Sequence, residues 1–160
     1  MSRCDLMRRC AGVCLLMLSV QLLGCGGAPA NTEKLVPVAG IVTLDGKPSE
    51  GITLMFSPSD NSATRGGWGV TDAQGKFKVT HNVKNQPGLP AGDFTVTYSR
   101  FTMLDGSPIP AGKPPADVGG VQSLSPVWND PSKAGPHNKL TIPAEGAPNL
   151  ELKIDTKLRG

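Results

Sequence analysis

The feature that most constrains the fold is a strict alternation of apolar and polar residues that recurs along the chain after residue 37. It is clearest between Phe94 and Ser99, where Phe94, Val96 and Tyr98 alternate with threonines and a serine. Because successive side chains of a β-strand point to opposite faces of the sheet, such a run predicts a strand with one buried face. The same pattern predicts strands at 38–44, 52–56, 68–71, 76–80, 94–99, 139–142 and 150–154.

Turn signals separate these strands. Asp45-Gly46 and the segment Asp72–Gly75 pair an aspartate that can bond its own backbone with a glycine that tolerates positive φ. We find no helix signal after Leu23. Seven short strands with turns and without helices predict an all-β chain, folded as a single β-sandwich or small barrel. This domain covers 38–155 and is followed by a polar tail, 156–160.

One long segment, 102–138, interrupts the alternation. It is dense in proline, glycine, serine and alanine and has little periodicity. Structureless loops of this length are uncommon inside a compact domain and are usually functional or disordered. We therefore treat 102–138 as an insertion in the predicted domain.

Three turn motifs resemble those of the carboxypeptidase regulatory-like, transthyretin-like family. They are VAGIVTLDGKP at 38–48, TDAQGKF at 71–77 and PAGDFTV at 90–96. The late VWNDP at 127–131 and the leucines of 150–152 resemble the ends of small bacterial lipoproteins with this domain. The resemblance implies a seven-stranded Greek-key β-sandwich of the transthyretin type, in a family of mostly non-catalytic accessory or cell-surface domains.

The N-terminus has the parts of an export signal. A basic region containing Arg3 and Arg8 precedes the apolar run 11–23. That run is shorter than the roughly 20 residues of a membrane-spanning helix. An ordinary cleaved signal and an uncleaved anchor remain alternatives to the interpretation that follows.

The end of the apolar run, Leu22-Leu23-Gly24-Cys25, resembles the lipobox of bacterial lipoproteins. The resemblance implies a signal peptide over 1–24, cleavage between Gly24 and Cys25, and a diacylglyceryl group on Cys25. The segment 25–37 then becomes a lipidated tether. The predicted location is a bacterial cell envelope, on the periplasmic or extracellular face of a membrane.

Composition excludes several functions. Cys4, Cys10 and Cys14 lie in the predicted signal, so only Cys25 remains and neither a disulfide framework nor a cysteine metal site is expected. The net charge of +3 comes mainly from the signal region, and the nearly neutral remainder argues against nucleic-acid binding. No nucleophile, metalloprotease or phosphate-loop motif is present, so we expect a protein that is not an enzyme and that has no cofactor.

Polar residues offer weak candidates for a metal site. His81 and His137 could join Asp130 or Asp117 around a metal, but two solvated loop histidines explain the pattern better. A calcium loop at Asp72 lacks alternating acidic ligands, so a side chain that bonds its own turn is favoured. We therefore expect no metal.

The two tryptophans are the better candidates for binding. Exposed tryptophan stacks on sugar rings or anchors a protein partner, and Trp68 and Trp128 both flank polar loops. The alternative is that Trp68 caps the sandwich and Trp128 plugs its edge, which the low aromatic content favours.

Three functions follow from these observations. The first is a non-catalytic, lipid-anchored interaction or structural module that is bound to the membrane through Cys25 and meets an unknown envelope partner. The second is a carbohydrate- or peptide-binding domain that uses Trp68, Trp128 and the long loop. The third, a regulator or subunit of an enzyme, rests on analogy between folds alone.

Overall fold

The structure is a computed structural model that describes residues 33–59 and 65–158. The predicted signal 1–24, with Gly24, and the lipidation site Cys25 lie outside the described residues. The all-β prediction is confirmed, because strands dominate and helices are few and short. The count of seven strands is not confirmed, since the described residues form eleven strand segments. They are β1 (Val38–Leu44), β2 (Lys47–Pro48), β3 (Thr53–Pro58), β4 (Gly67–Val70), β5 (Lys76–Lys78), β6 (Thr80–His81), β7 (Gly92–Ser99), β8 (Phe101–Thr102), β9 (Val121–Gln122), β10 (Lys139–Ile142) and β11 (Ala147–Ile154).

These strands form two larger sheets and one small one. The five-stranded sheet has the order β10-β7-β3-β4-β6 and is antiparallel throughout. In the four-stranded sheet, β1 is central, with β11 parallel on one side and β2 and β5 antiparallel on the other. The short strands β8 and β9 pair with each other.

The inward side chains of the two larger sheets form one hydrophobic core. Alternation places Leu54 and Phe56 of β3 in it, with Phe94 and Val96 of β7, all at most 1% exposed. Val42 of β1 contributes to it from the four-stranded sheet. The aromatic rings of Phe56 and Phe94 meet edge to face, with centroids 6.5 Å apart. One contiguous core is what the alternation of the predicted strands requires.

The predicted strand at 76–80 is two strands that belong to different sheets. Residues of β5 pair with β1, whereas β6 pairs with β4. The alternation continues across the change, because Phe77 and Val79 are buried while Lys76 and Lys78 are exposed. An alternation of apolar and polar residues indicates which face of a strand is buried, but it does not indicate which strand pairs with it. The sequence therefore could not show this crossing.

The insertion 102–138 is structured and contains the helices that the sequence did not predict. A four-residue helix, α1 (Pro126–Asn129), places Val127 and Trp128 in the core. Three 3₁₀ turns cover Pro115–Val118, Pro131–Lys133 and Pro136–Asn138. A single helical turn shows no 3.6-residue periodicity, which is why the prediction of no helix was wrong. In the part of the chain that the structure describes, no helix is both long and apolar enough to cross a bilayer.

The structured domain begins before the predicted boundary at Val38. Val36 is 5% exposed and belongs to the core. Its backbone N–H donates to the carbonyl of Leu89 at 2.8 Å and its carbonyl accepts from Leu89 at 3.0 Å. The end of the predicted tether, 25–37, is thus part of the folded domain.

Candidate functional site

Trp68 lies on the outer face of the five-stranded sheet and remains 43% exposed. It is opposite Met55 of β3 on one side and Thr80 of β6 on the other. Cross-strand partners project from the same face of a sheet. Met55, 41% exposed, in turn lies opposite Thr97 of β7. A row of side chains with the indole near its centre therefore crosses four strands.

A second row runs beside the first. Val70, two residues along β4 and 46% exposed, lies opposite Thr53, which faces Ser99 of β7. The two rows together form what we name the Trp68 face. Its members are Thr53, Met55, Trp68, Val70, Thr80, Thr97 and Ser99.

Two glycines fix the direction in which Trp68 points. Gly67 and Gly69 face inward, and a β-carbon on Gly67 would lie 2.6 Å from both the Leu89 side chain and the backbone oxygen of Thr80. On Gly69 it would lie 2.7 Å from the backbone oxygen of Lys78. The segment that crosses between the sheets runs directly beneath β4, so only glycine fits there. The alternating partner, Trp68, must then project outward.

Trp128 is in the core, so a ligand cannot stack on its ring in this structure. It is 3% exposed, and its indole N–H donates to the carbonyl of Asp155 at 3.0 Å. Its ring meets Tyr98 edge to face, with centroids 5.7 Å apart. Burial raises the pKa of the Tyr98 hydroxyl well above its ordinary value, because the phenolate would lose its hydration. Trp68 and Trp128 do not form one binding surface.

The expectation of two solvated histidines is wrong for His81. His81 is 0% exposed, and its Nδ1 accepts the backbone N–H groups of Val83 and Lys84 at 3.2 and 3.0 Å. Its Nε2 lies 3.7 Å from the Glu33 carboxylate. Because Nδ1 accepts two hydrogen bonds, the proton of the neutral ring is on Nε2, and the ring stabilises the turn that follows β6.

The candidate metal ligands are not brought together. His137 is exposed in its 3₁₀ turn and packs its ring against Trp128, with centroids 4.7 Å apart. Asp130 accepts from the backbone and hydroxyl of Ser132, which lowers the pKa of its carboxyl. Across 33–59 and 65–158, no group of three or more histidine, cysteine or acidic residues is arranged to hold a metal ion.

The two predicted aspartate turns form as expected. Asp72 accepts the backbone N–H groups of Gln74 and Lys76 at 2.9 and 2.8 Å, as a side chain that bonds its own turn does. Asp45 and Gly46 both have positive φ, 50° and 81°. Asp45 also accepts from the backbone and hydroxyl of Thr156, which lowers the pKa of its carboxyl.

A groove of about 600 Å³ runs along the four-stranded sheet and was not predicted. Its lining includes the small side chain of Ala39, with Lys76 and Lys78 of β5 and Asn149 and Glu151 of β11. The groove is open to solvent, and both lysines are exposed. The Trp68 face, which presents an exposed indole, is the stronger candidate.

The chain was compared with models of protein families, with curated proteins and with solved structures. None of the three comparisons found a match.

Proposed function

We propose that the protein is a lipid-anchored, non-catalytic binding module of a bacterial cell envelope, and that it binds a neutral polysaccharide on the Trp68 face. The observation that carries the binding proposal is the exposed indole of Trp68, set among hydroxyl-bearing side chains and held outward by Gly67 and Gly69. The anchor rests on the sequence Leu22-Leu23-Gly24-Cys25.

The proposed scaffold is a Greek-key β-sandwich of the transthyretin type. Two sheets that share one core support it, as do the turns at Asp45-Gly46 and Asp72–Gly75 in the family-like motifs. The parallel pairing of β1 with β11 brings the first and last strands of the domain together. The extra strand segments lie mainly in short hairpins and in the insertion.

The chemistry of the Trp68 face favours a sugar. A pyranose ring presents C–H groups on one face, which pack on an indole, and hydroxyls around its rim. Thr80 and Thr97 place hydroxyls in the same row as Trp68 and Met55. The defining residues of the face carry no charge, which favours a neutral ligand over an acidic or basic peptide.

Replacing Trp68 tests the binding surface. We expect Trp68→Ala to weaken binding to the preferred glycan at least tenfold, because a central stacking residue contributes about 2 kcal/mol. The measurement is retention of the full chain on a panel of insoluble polysaccharides, followed by titration with soluble oligosaccharides. Thermal unfolding of Trp68→Ala should match that of the wild type, since the side chain is largely outside the core.

Phe101 provides a matched control. It is 44% exposed, close to the exposure of Trp68, but lies on β8 outside the Trp68 face. Phe101→Ala should bind the glycan as the wild type does. Equal losses for Trp68→Ala and Phe101→Ala would contradict the assigned surface, and failure to bind any polysaccharide would contradict the ligand class.

Replacing Cys25 tests the anchor. We expect Cys25→Ser to move the chain from the membrane fraction to the soluble fraction and to abolish incorporation of labelled palmitate, because acyl chains supply the membrane affinity at about 0.8 kcal/mol per buried methylene. Cys14→Ser, in the predicted signal, is the matched control. This variant should remain in the membrane fraction and incorporate labelled palmitate. A Cys25→Ser chain that still incorporates the label would refute the proposed modification.

A further inference from the structure

The last strand of the domain, β11, has one edge that is unpaired within residues 33–59 and 65–158. It pairs with β1 on one side and ends the order of the four-stranded sheet on the other. Exposed strand edges are templates for pairing with another chain. Among the residues that the structure describes, no strand pairs with this edge of β11.

The register shows which backbone groups point outward. Ile154 lies opposite Leu44, and its carbonyl accepts the N–H of Asp45 at 2.9 Å, so the backbone groups of Ile154 face β1. Alternation along a strand then turns Lys153 and Glu151 away from β1. Their N–H and C=O groups therefore line the unpaired edge.

The side chains along this edge are complementary to themselves in the antiparallel direction. Glu151 and Lys153 are exposed on the outer face of the sheet, and Leu152 lies between them. A two-fold axis beside Leu152 sets Glu151 opposite Lys153 of a second copy, and the reverse pair follows by symmetry. The backbone groups of Glu151 and Lys153 point toward the second copy, so each of the two symmetry-related pairs forms about two backbone hydrogen bonds, about four in all.

The inner face of the edge also favours a second copy. Leu150 and Leu152 pack against the core but are only partly buried. In the same register Leu152 meets Leu152 of the second copy, and Leu150 meets Ile154. Pairing therefore removes apolar surface from water on the inner face and pairs opposite charges on the outer face.

From this geometry we propose that two copies of the chain form a symmetric dimer through antiparallel pairing of β11, with the two-fold axis at Leu152. Closed two-fold dimers use the same patch on both subunits, as this strand does. Within the described residues, the pairing uses the one free edge of β11, so association through this strand stops at two copies. The dimer does not depend on the lipid anchor or on the glycan site.

Charge reversal tests the register. The full chain in mild detergent is examined by sedimentation velocity over a range of concentrations. The wild type should show a monomer–dimer equilibrium. Glu151→Lys and Lys153→Glu should each weaken it at least tenfold, because each turns both symmetry-related pairs into like charges. The double variant Glu151→Lys/Lys153→Glu exchanges the signs and should restore the wild-type equilibrium.

At a concentration where the wild type is monomeric, thermal unfolding of all three variants should stay close to that of the wild type, because both positions are exposed. Three outcomes overturn the proposal: a wild type that is monomeric throughout, single reversals that leave dimerisation unchanged, and a double variant that is as weak as the single ones. If the double variant dimerises as the wild type does, residue 151 pairs with residue 153 of the second copy. A general effect of surface charge would not restore dimerisation when both charges are reversed.

Cysteine cross-linking is an independent test of the same axis. Opposed residues at a non-hydrogen-bonded antiparallel position have β-carbons at the short end of a range of about 4.5–5.5 Å. A small backbone shift brings this separation to the roughly 3.5–4.5 Å of a disulfide. After oxidation, the Leu152→Cys variant should therefore form more covalent dimer than the wild type. The wild-type yield measures the cross-links that form through the native cysteines. Leu140→Cys, partly buried on the edge strand β10, is the matched control. Equal yields from the two variants overturn the proposal.

Discussion

Replacing Trp128 by alanine is expected to lower the free energy of unfolding by about 3–5 kcal/mol, the usual cost of deleting a large buried aromatic side chain. Trp128 is 3% exposed and packs on Tyr98. Its N–H donor is also lost, which leaves the carbonyl of Asp155 without that partner. Chemical denaturation of the full chain measures the change as a lower midpoint with an unchanged slope.

Trp68→Ala is the matched control for this prediction, because it removes the same side chain from the surface. It should change the free energy of unfolding by less than about 1 kcal/mol. A small loss for Trp128→Ala would show that α1 and the insertion detach without affecting the core. Trp68 is thus expected to contribute to ligand binding, and Trp128 to the stability of the fold.

The second large effect is expected at Gly67. Gly67→Ala should destabilise the fold by about 3 kcal/mol, because the added β-carbon lies 2.6 Å from the backbone oxygen of Thr80 and from the Leu89 side chain. The leucine could rotate away, but the backbone of β6 is fixed by its pairing with β4. The measurement is again the denaturation midpoint.

This variant should also weaken binding at the Trp68 face, since β4 must move away from the crossing segment and Trp68 moves with it. Val70→Ala is the control for stability, because Val70 is on the same strand but its side chain points outward. Its free energy of unfolding should stay within about 1 kcal/mol of the wild-type value. Wild-type stability in Gly67→Ala would show that β4 does not lie tightly against the segment beneath it.

Much of the core could be predicted because it depends on local alternation. Phe94, Val96 and Tyr98 point inward as the period of two requires, and so do Leu54 and Phe56. The aspartate turns were predictable for a similar reason, since Asp72 bonds groups only two and four residues away. Each of these features is specified within a few consecutive residues.

The candidate site was predicted only in part. Trp68 was identified from its residue type, but its neighbours Met55, Thr80 and Thr97 come from three other strands. The glycines beside it gave a signal, because two glycines around a tryptophan are unusual in a strand and mark a close backbone approach. His81 gave none, since its burial depends on Glu33 and on the chain that follows it.

The sequence by itself determined that the chain is all-β, where most strands run and which of their side chains face inward, because these depend on neighbours along the chain. Only the tertiary structure decided that 76–81 passes from one sheet to the other, that Trp128 is in the core while Trp68 is at the surface, and that β11 ends a sheet. Strand pairing joins segments far apart in sequence, and a period of two is the same whichever partner a strand has.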